Sequence, residues 1–296
     1  MKMIELEHVT KDYGNGKGVF DVTFSVEEGE VLGFLGPNGA GKTTAIRQLM
    51  GFLRPDSGFA RIGGRDCFRQ SHEIKRTLGY LPVEIAFPEG MRGGEFIRFL
   101  AGLQGRKDLG RAKELKERFE LDDSGPISRM SKGMKQKIGI VCAFLNDPAV
   151  ILLDEPTSGL DPLMQGRFID LVLEEKKRGK TILMSSHIFE ETERTCSRAA
   201  IIRSGRLAGV EDMDRLRRGR AKHWEADFAS PAEAEAFGRK FPEARISGKR
   251  GEITWSGEAD ALVKALADFH VRDLSARAQS LEELFLSYYE KGGAPK

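Results

Sequence analysis

The residues of this chain best placed for chemistry are a lysine and a threonine behind a run of glycines, and a pair of acids behind an apolar run. Gly36-Pro37-Asn38-Gly39-Ala40-Gly41-Lys42-Thr43 fits the phosphate-loop pattern G-x-x-x-x-G-K-[ST]. The glycines let backbone N–H groups turn inward around phosphate oxygens. A helix opening near Thr43 points its positive dipole end at the same anion. Lys42 is then placed to reach the β- and γ-phosphates, the Thr43 hydroxyl to bind Mg²⁺, and Thr44 to add an α-phosphate contact. Further on, Val150-Ile151-Leu152-Leu153 ends in Asp154-Glu155. Beside a phosphate loop, an Asp so placed holds Mg²⁺ and the adjacent Glu polarises the attacking water as general base. Acids also end strands on ordinary surfaces, so the pair gains its meaning from the loop.

These groups need elements to carry them. Val31 to Leu35 reads as a short apolar strand, and Thr43 to Met50 as a helix with Gly51 at its stop. The strand of Val150 to Leu153 is expected beside the phosphate-loop strand, delivering both acids to its carboxyl end. Met3 to Val9 and Val22 to Val26 read as earlier strands. Glu95 to Glu120 reads as mostly helical, interrupted by Gly102 and Gly105. Ser131 to Leu145 is a helix broken by Asn146-Asp147-Pro148, Phe168 to Arg178 a further helix, and Thr181 to Ser185 a strand. The alternation predicts an α/β domain with a mainly parallel core sheet.

The pattern changes after Leu216. Arg215, Arg217, Arg218 and Arg220 form a basic linker. Beyond it come a strand (His223 to Phe228), a helix opened by the capping box Ser230-Pro231-Ala232-Glu233, strands near Ala244 to Ser247 and Glu252 to Trp255, a helix (Ala259 to Phe269) and a strand (Val271 to Ala276). Ser280-Leu281-Glu282-Glu283 is a second capping box. The order β-α-β-β-α-β predicts a small α+β unit of ferredoxin-like type. The division is therefore 1–216 and 217–296, with a helical insertion at about 88–146.

Composition sets the outer limits. The chain has 296 residues, 40% hydrophobic and 31% charged, enough for one large globular domain and a small one. Lys plus Arg total 47 against 45 for Asp plus Glu, which gives no electrostatic case for nucleic acid. Cys67, Cys142 and Cys196 show neither disulfide nor metal spacing, consistent with a reducing cytosol. Cys142, in an apolar run, reads as a buried small hydrophobe. Met1-Lys2-Met3-Ile4-Glu5 lacks a signal-peptide stretch, and the longest nearly apolar run, Ile138 to Leu145, is far short of the ~20 residues of a membrane helix.

Met130-Ser131-Lys132-Gly133-Met134-Lys135-Gln136-Lys137 resembles the signature motif LSGGQ of ABC ATPases, in a variant form found in a branch of ABC exporters. Ser131 and Gly133 match; Lys132 and Met134 replace a glycine and the glutamine. Other motifs of that family follow in order. Tyr13 stands where an aromatic stacks on adenine. Ser158-Gly159-Leu160-Asp161 resembles the D-loop, and Ser185-Ser186-His187 the switch histidine. The resemblance covers residues 3 to 215. One departure stands out: Val83 follows Gly79-Tyr80-Leu81-Pro82 where the family carries a glutamine touching Mg²⁺ and water, and Glu84 is the residue that can substitute.

The resemblance implies a P-loop ABC ATPase domain with an antiparallel N-terminal subdomain and a helical signature subdomain. It implies ATP and Mg²⁺ as ligands, with Thr43, Asp154 and Glu84 toward the metal. Lys42, Glu155 and His187 are the catalytic candidates. Tyr13, residues Gly36 to Thr44, Ser131, Gly133 and Asp161 are the nucleotide contacts. It implies a homodimer or heterodimer of ATPase subunits on an integral membrane permease, no nucleic-acid partner, and a place on the cytoplasmic face of the membrane, most simply as part of an exporter. The C-terminal segment resembles accessory extensions of drug-efflux-type ATPases. Two alternatives stand beside this. A non-transport ABC ATPase acting on ribosomes or DNA would carry paired cassettes or a long coiled coil. A regulatory module with a degenerate site is opposed by the presence of Glu155 and His187, and only Val83 and the altered signature favour it.

Overall fold

The computed structural model describes residues 1–103, 105, 108–218, 222–255, 258–279 and 283. Its strands up to residue 212 are β1 (Lys2–Asp12), β2 (Gly18–Glu27), β3 (Val31–Leu35), β4 (Ser57–Ile62), β5 (Arg65–Asp66), β6 (Leu78–Leu81), β7 (Val150–Asp154), β8 (Thr181–Ser186), β9 (Arg198–Arg203) and β10 (Arg206–Asp212). The helices are α1 (Lys42–Leu49), α2 (Ser71–Lys75), α3 (Gly93–Leu103), α4 (Gly110–Arg118), α5 (Lys132–Phe144), α6 (Pro162–Lys177) and α7 (Phe189–Thr195). The chain divides into two compact units, Met1–Met213 and Asp214–Lys296.

Every residue of β3, β7 and β8 is buried. That is the burial of parallel strands covered on both faces, and it explains why their sequences are continuous apolar runs. They belong to a sheet ordered β10-β9-β3-β8-β7-β6, parallel from β9 to β6, with β10 antiparallel at the edge. A second, antiparallel sheet runs β2-β1-β4-β5. Its inner face, with Ile4, Leu6, Val22 and Phe24, shares one apolar cluster with Phe34, Ile46 and Leu152. Phe24 and Phe34 meet with ring centroids 5.1 Å apart. Burying each such side chain contributes about 1.5–3 kcal/mol.

The structure changes several expectations. β7 does not lie beside β3; β8 runs between them. Phosphate loop, switch histidine and acid pair therefore end three neighbouring strands, which hydropathy alone does not reveal. Gly102 lies within α3 and does not interrupt it, while Gly105 (φ +71°) does fall in a break. α6 begins at Pro162, ahead of the expected Phe168, because Asp161 caps it: its Oδ1 accepts from Met164 N at 3.0 Å, and proline takes the first helical position.

The helical region is fastened to α6 by charge. Arg118 of α4 grips Glu174 through both guanidinium nitrogens at 2.6 and 2.9 Å, holding that carboxyl below its usual range. Arg111 meets the buried Glu175 at 2.6 Å, Arg178 meets it at 2.8 Å, and Arg167 meets Glu120 at 2.5 Å. Among the described residues, no helix is long and apolar enough to cross a membrane.

The second unit opens with α8 (Met213–Arg218), so the basic stretch expected as a linker is helical up to Arg218; Arg220 lies outside the described residues. Its elements are β11 (Lys222–Phe228), α9 (Pro231–Lys240), β12 (Arg245–Ser247), β13 (Arg250–Trp255), α10 (Ala259–Leu266) and β14 (Val271–Ala278). The sheet order β12-β13-β11-β14, antiparallel throughout, is the ferredoxin-like arrangement. Ser230 caps α9 by accepting from Glu233 N at 3.3 Å. Phe228, Phe237, Ile253 and Leu262 form its core. The capping box at 280–283 lies outside the described residues except for Glu283.

Candidate active site

The loop between β3 and α1 curls back on itself, with Ala40 N donating to Pro37 O at 3.1 Å and Ala45 N to Gly41 O at 3.0 Å. Gly41 sits at φ +109°, and a Cβ there would stand 2.7 Å from Val19 Cγ1, so only glycine fits. Lys42 is 5% exposed. Its ammonium donates to Gly36 O at 2.6 Å and Pro37 O at 3.3 Å, and lies 3.1 Å from Glu155 Oε1. A cavity of about 520 Å³ opens over the loop, lined among others by Tyr13, Asn38, Thr43, Thr44, Val83 and Glu155. Tyr13 is half exposed at its rim, free to meet a flat ring.

Asp154, at the end of β7, is fully buried. Burial raises its pKa, opposed by the Ser185 and Thr43 hydroxyls. Ser185 Oγ donates to Asp154 Oδ1 at 2.5 Å, while Oδ2 is buried without a hydrogen-bond partner. An unpartnered buried carboxylate oxygen beside a threonine hydroxyl is a donor set suited to a hard divalent cation such as Mg²⁺. Glu155 takes a left-handed backbone, φ +50°, uncommon for a residue with a side chain. Its N–H is shared between Ser185 O (3.2 Å) and Ser185 Oγ (3.1 Å). Its Oε2 lies 2.6 Å from His187 Nδ1. The structure thus brings Lys42, Glu155 and His187 into one contiguous chain of contacts.

Other candidates lie elsewhere. Ser131 caps α5, its Oγ accepting from Met134 N at 3.2 Å. Gly133 is pressed against the loop after β7; a Cβ would stand 2.6 Å from Gly159 O. Lys132 Nζ donates to Ser158 Oγ at 2.8 Å. Ser131, Gly133 and Asp161 do not line the phosphate-loop cavity of their own chain, and the Asp161 carboxylate caps α6. Glu84 and Val83 face different spaces. Val83 lines the phosphate cavity, whereas the exposed Glu84 lines a separate groove together with Lys132 and Lys135. Cys142 is only partly buried, and burial pushes its thiol up to about 12.

Two residues escaped the sequence reading. Gln136 of α5 is 3% exposed, and its amide donates to Pro156 O at 2.8 Å, and at 3.5 Å to Glu155 O. It was visible inside the signature segment, but nothing local shows what it touches. Glu191 of α7 is buried, accepting from Thr157 and Ser186. Burial raises its pKa against those two hydroxyls.

The sequence profile of a family described as ABC transporter matches residues 19–158. The ABC transporter ATP-binding protein NatA of Bacillus subtilis (strain 168) is 38% identical over 197 residues, 64% of this chain and 80% of that one. The chain belongs to the ABC transporter family. Within it, the chain is an ATP-binding subunit and an ATPase. The daunorubicin resistance ATP-binding protein DrrA2 of Streptomyces coeruleorubidus is 33% identical over 301 residues, covering 96% of this chain and 94% of that one. Among solved structures, an ATP binding subunit of an ABC transporter has 33% identity and a TM-score of 0.66 over 73% of this chain and 92% of its own. The ATP-binding cassette MJ0796, a dimer bound to ADP and Pi, has 23% identity and a TM-score of 0.65 over 71% and 99%, a likeness of fold.

Proposed function

We propose that this chain is the ATP-hydrolysing subunit of an ABC exporter. It drives a separate integral membrane permease from the cytoplasmic face of the cell membrane, and works as a head-to-tail dimer, with a second copy or a second ATPase subunit. The observation that carries the dimer is the split between the cavity, which holds Lys42 and Glu155, and the α5 N-terminus with Ser131 and Gly133, which does not line it. A subunit alone offers a cradle without its lid. A second subunit closes it by turning its own α5 N-terminus toward the γ-phosphate. ATP thereby favours the closed dimer, hydrolysis releases it, and the permease follows the two states. Export is supported by the daunorubicin resistance relative, which matches across both units. The near balance of charge supports no nucleic-acid partner.

In this reading Tyr13 stacks on adenine and the phosphates settle on the loop. Lys42 leaves Glu155 for the β- and γ-phosphates. Glu155, no longer paired with lysine, keeps its contact with His187 and takes a proton from the attacking water. His187 keeps its second ring nitrogen for the γ-phosphate. Thr43 and Asp154 would hold Mg²⁺, which when bound would supply positive charge against the negative charge of the phosphates. The deciding experiment is Mg²⁺-dependent ATP hydrolysis by purified protein over a range of protein concentrations. Specific activity should rise with concentration and disappear in Glu155→Gln. Activity independent of concentration, extending to dilutions where the protein is monomeric, would overturn the composite site.

A further inference from the structure

Glu155 and His187 come from different loops, after β7 and after β8, yet their side chains meet at 2.6 Å. A contact between two loops is only as well fixed as the loops themselves. One end of the junction is held by Ser185, whose hydroxyl touches both the Asp154 carboxylate and the Glu155 N–H. The other end is held by Glu191. Its Oε1 accepts from the Thr157 hydroxyl, two residues beyond Glu155, and its Oε2 accepts from the Ser186 hydroxyl at 3.1 Å, immediately before His187. Glu191 is 4% exposed, Thr157 3% and Ser186 1%. The Thr195 hydroxyl donates to Glu191 O at 2.8 Å, anchoring the carboxylate's own backbone in α7.

A buried carboxylate is an expensive way to join two loops. Apolar side chains of similar volume would hold them at least as stably, without desolvating a charge. Hydrogen bonds supply direction instead, which matters where a base must stay aligned on water. Glu155 itself holds an uncommon left-handed backbone that its surroundings must maintain. We infer that Glu191 is a positioning residue for hydrolysis: it clamps the loop of Glu155 to the loop of His187 and so fixes the base and the switch histidine relative to each other. This rests on Glu155 being the base. A displacement of about 1 Å in such a constellation costs on the order of 100-fold in rate, so removing the clamp acts on kcat and leaves the phosphate loop alone.

The test measures kcat, KM and the affinity for a non-hydrolysable ATP analogue in wild type, Glu191→Ala, Glu191→Gln, Thr157→Val, Glu155→Gln and the double variant Glu155→Gln/Glu191→Ala. Expected are a kcat at least tenfold lower in Glu191→Ala and Thr157→Val, with analogue affinity within twofold of wild type. Glu191→Gln, which can still bond both hydroxyls, should recover much of the loss. In the double variant, Glu191→Ala should add nothing to the loss from Glu155→Gln, since both act through one base. If Glu191→Ala does not fold, Thr157→Val decides. Wild-type kcat in Thr157→Val, or a loss confined to KM, overturns the inference. So does an equal further loss in the Glu155→Gln background, which would mark a general structural role. If Glu155→Gln itself retains turnover, it is the base assignment that fails.

Discussion

Replacing Glu155 by glutamine should tighten nucleotide binding while stopping turnover, and the structure gives the size of both effects. The Lys42 ammonium lies 3.1 Å from Glu155 Oε1, with the two side chains only 6% and 12% exposed. Incoming phosphate must take Lys42 away from that carboxylate. A bond to a charged group contributes about 1.5–3 kcal/mol, and glutamine keeps only the neutral part of it. Relief of about 1–2 kcal/mol corresponds to roughly 5–30-fold tighter binding. Lys42 is not stranded in the variant, because Gly36 O and Pro37 O still accept its protons. Turnover loses the base, a term of about 10²–10⁴-fold, or about 2.7–5.4 kcal/mol of barrier. Calorimetric titration with a non-hydrolysable ATP analogue, on protein dilute enough to stay monomeric, reads the first effect; phosphate release reads the second. Unchanged affinity would refute the competition between Glu155 and phosphate for Lys42. Turnover above a tenth of wild type would refute the base.

Gly133→Ala should lower the melting temperature although alanine favours helix, because its Cβ would stand 2.6 Å from Gly159 O; an overpacking cost of about 1–3 kcal/mol is about 2–12 °C for a unit of this size, and a melting curve at or above wild type would contradict it. Asp147→Asn tests the acid limb of stability. The bond from Lys180, aided by Arg178, lowers the Asp147 pKa. Its stabilisation is therefore present above the ordinary value of 3.8 and lost as pH falls through the lowered folded value. The side chain is 48% exposed, so screening keeps the effect below about 1 kcal/mol. Melting temperatures of variant and wild type should differ slightly at pH 7 and converge at acid pH; a gap that widens in acid would reverse the sign.

What could be read in advance was what the chain states locally. The phosphate loop, its strand and its helix are contiguous, so spacing alone located Lys42 and Thr43. Capping chemistry is equally local, and Ser230 caps α9 as its capping box predicts. Asp161-Pro162 carried the same signal, but the exposed Leu163 weakens the apolar period there, and the first turns of α6 went unread. In the second unit, short connections between well-patterned elements made the whole order legible. The order of the parallel sheet was not, since a crossover can return to either side of a strand, and β8 came to lie between β3 and β7. Gln136 and Glu191 were hidden for a related reason. Their partners are 20 and 34 residues away in sequence, and a buried acid or amide carries no pattern of its own.

The seam between α4 and α6 has a consequence for how the enzyme meets its surroundings. Arg118, Arg111 and Arg167 join the helical region to α6 through carboxylates, and Glu174 and Glu120 are more than half exposed to solvent. Apolar seams stiffen in kosmotropic salts such as sulfate, whereas exposed charged ones slacken in any salt as ions screen them over about 8–10 Å. The buried Glu175 pair resists that screening, and the outer pairs yield to it. Added salt therefore weakens the outer pairs of this seam first, while Arg111 on the buried Glu175 keeps the two helices joined.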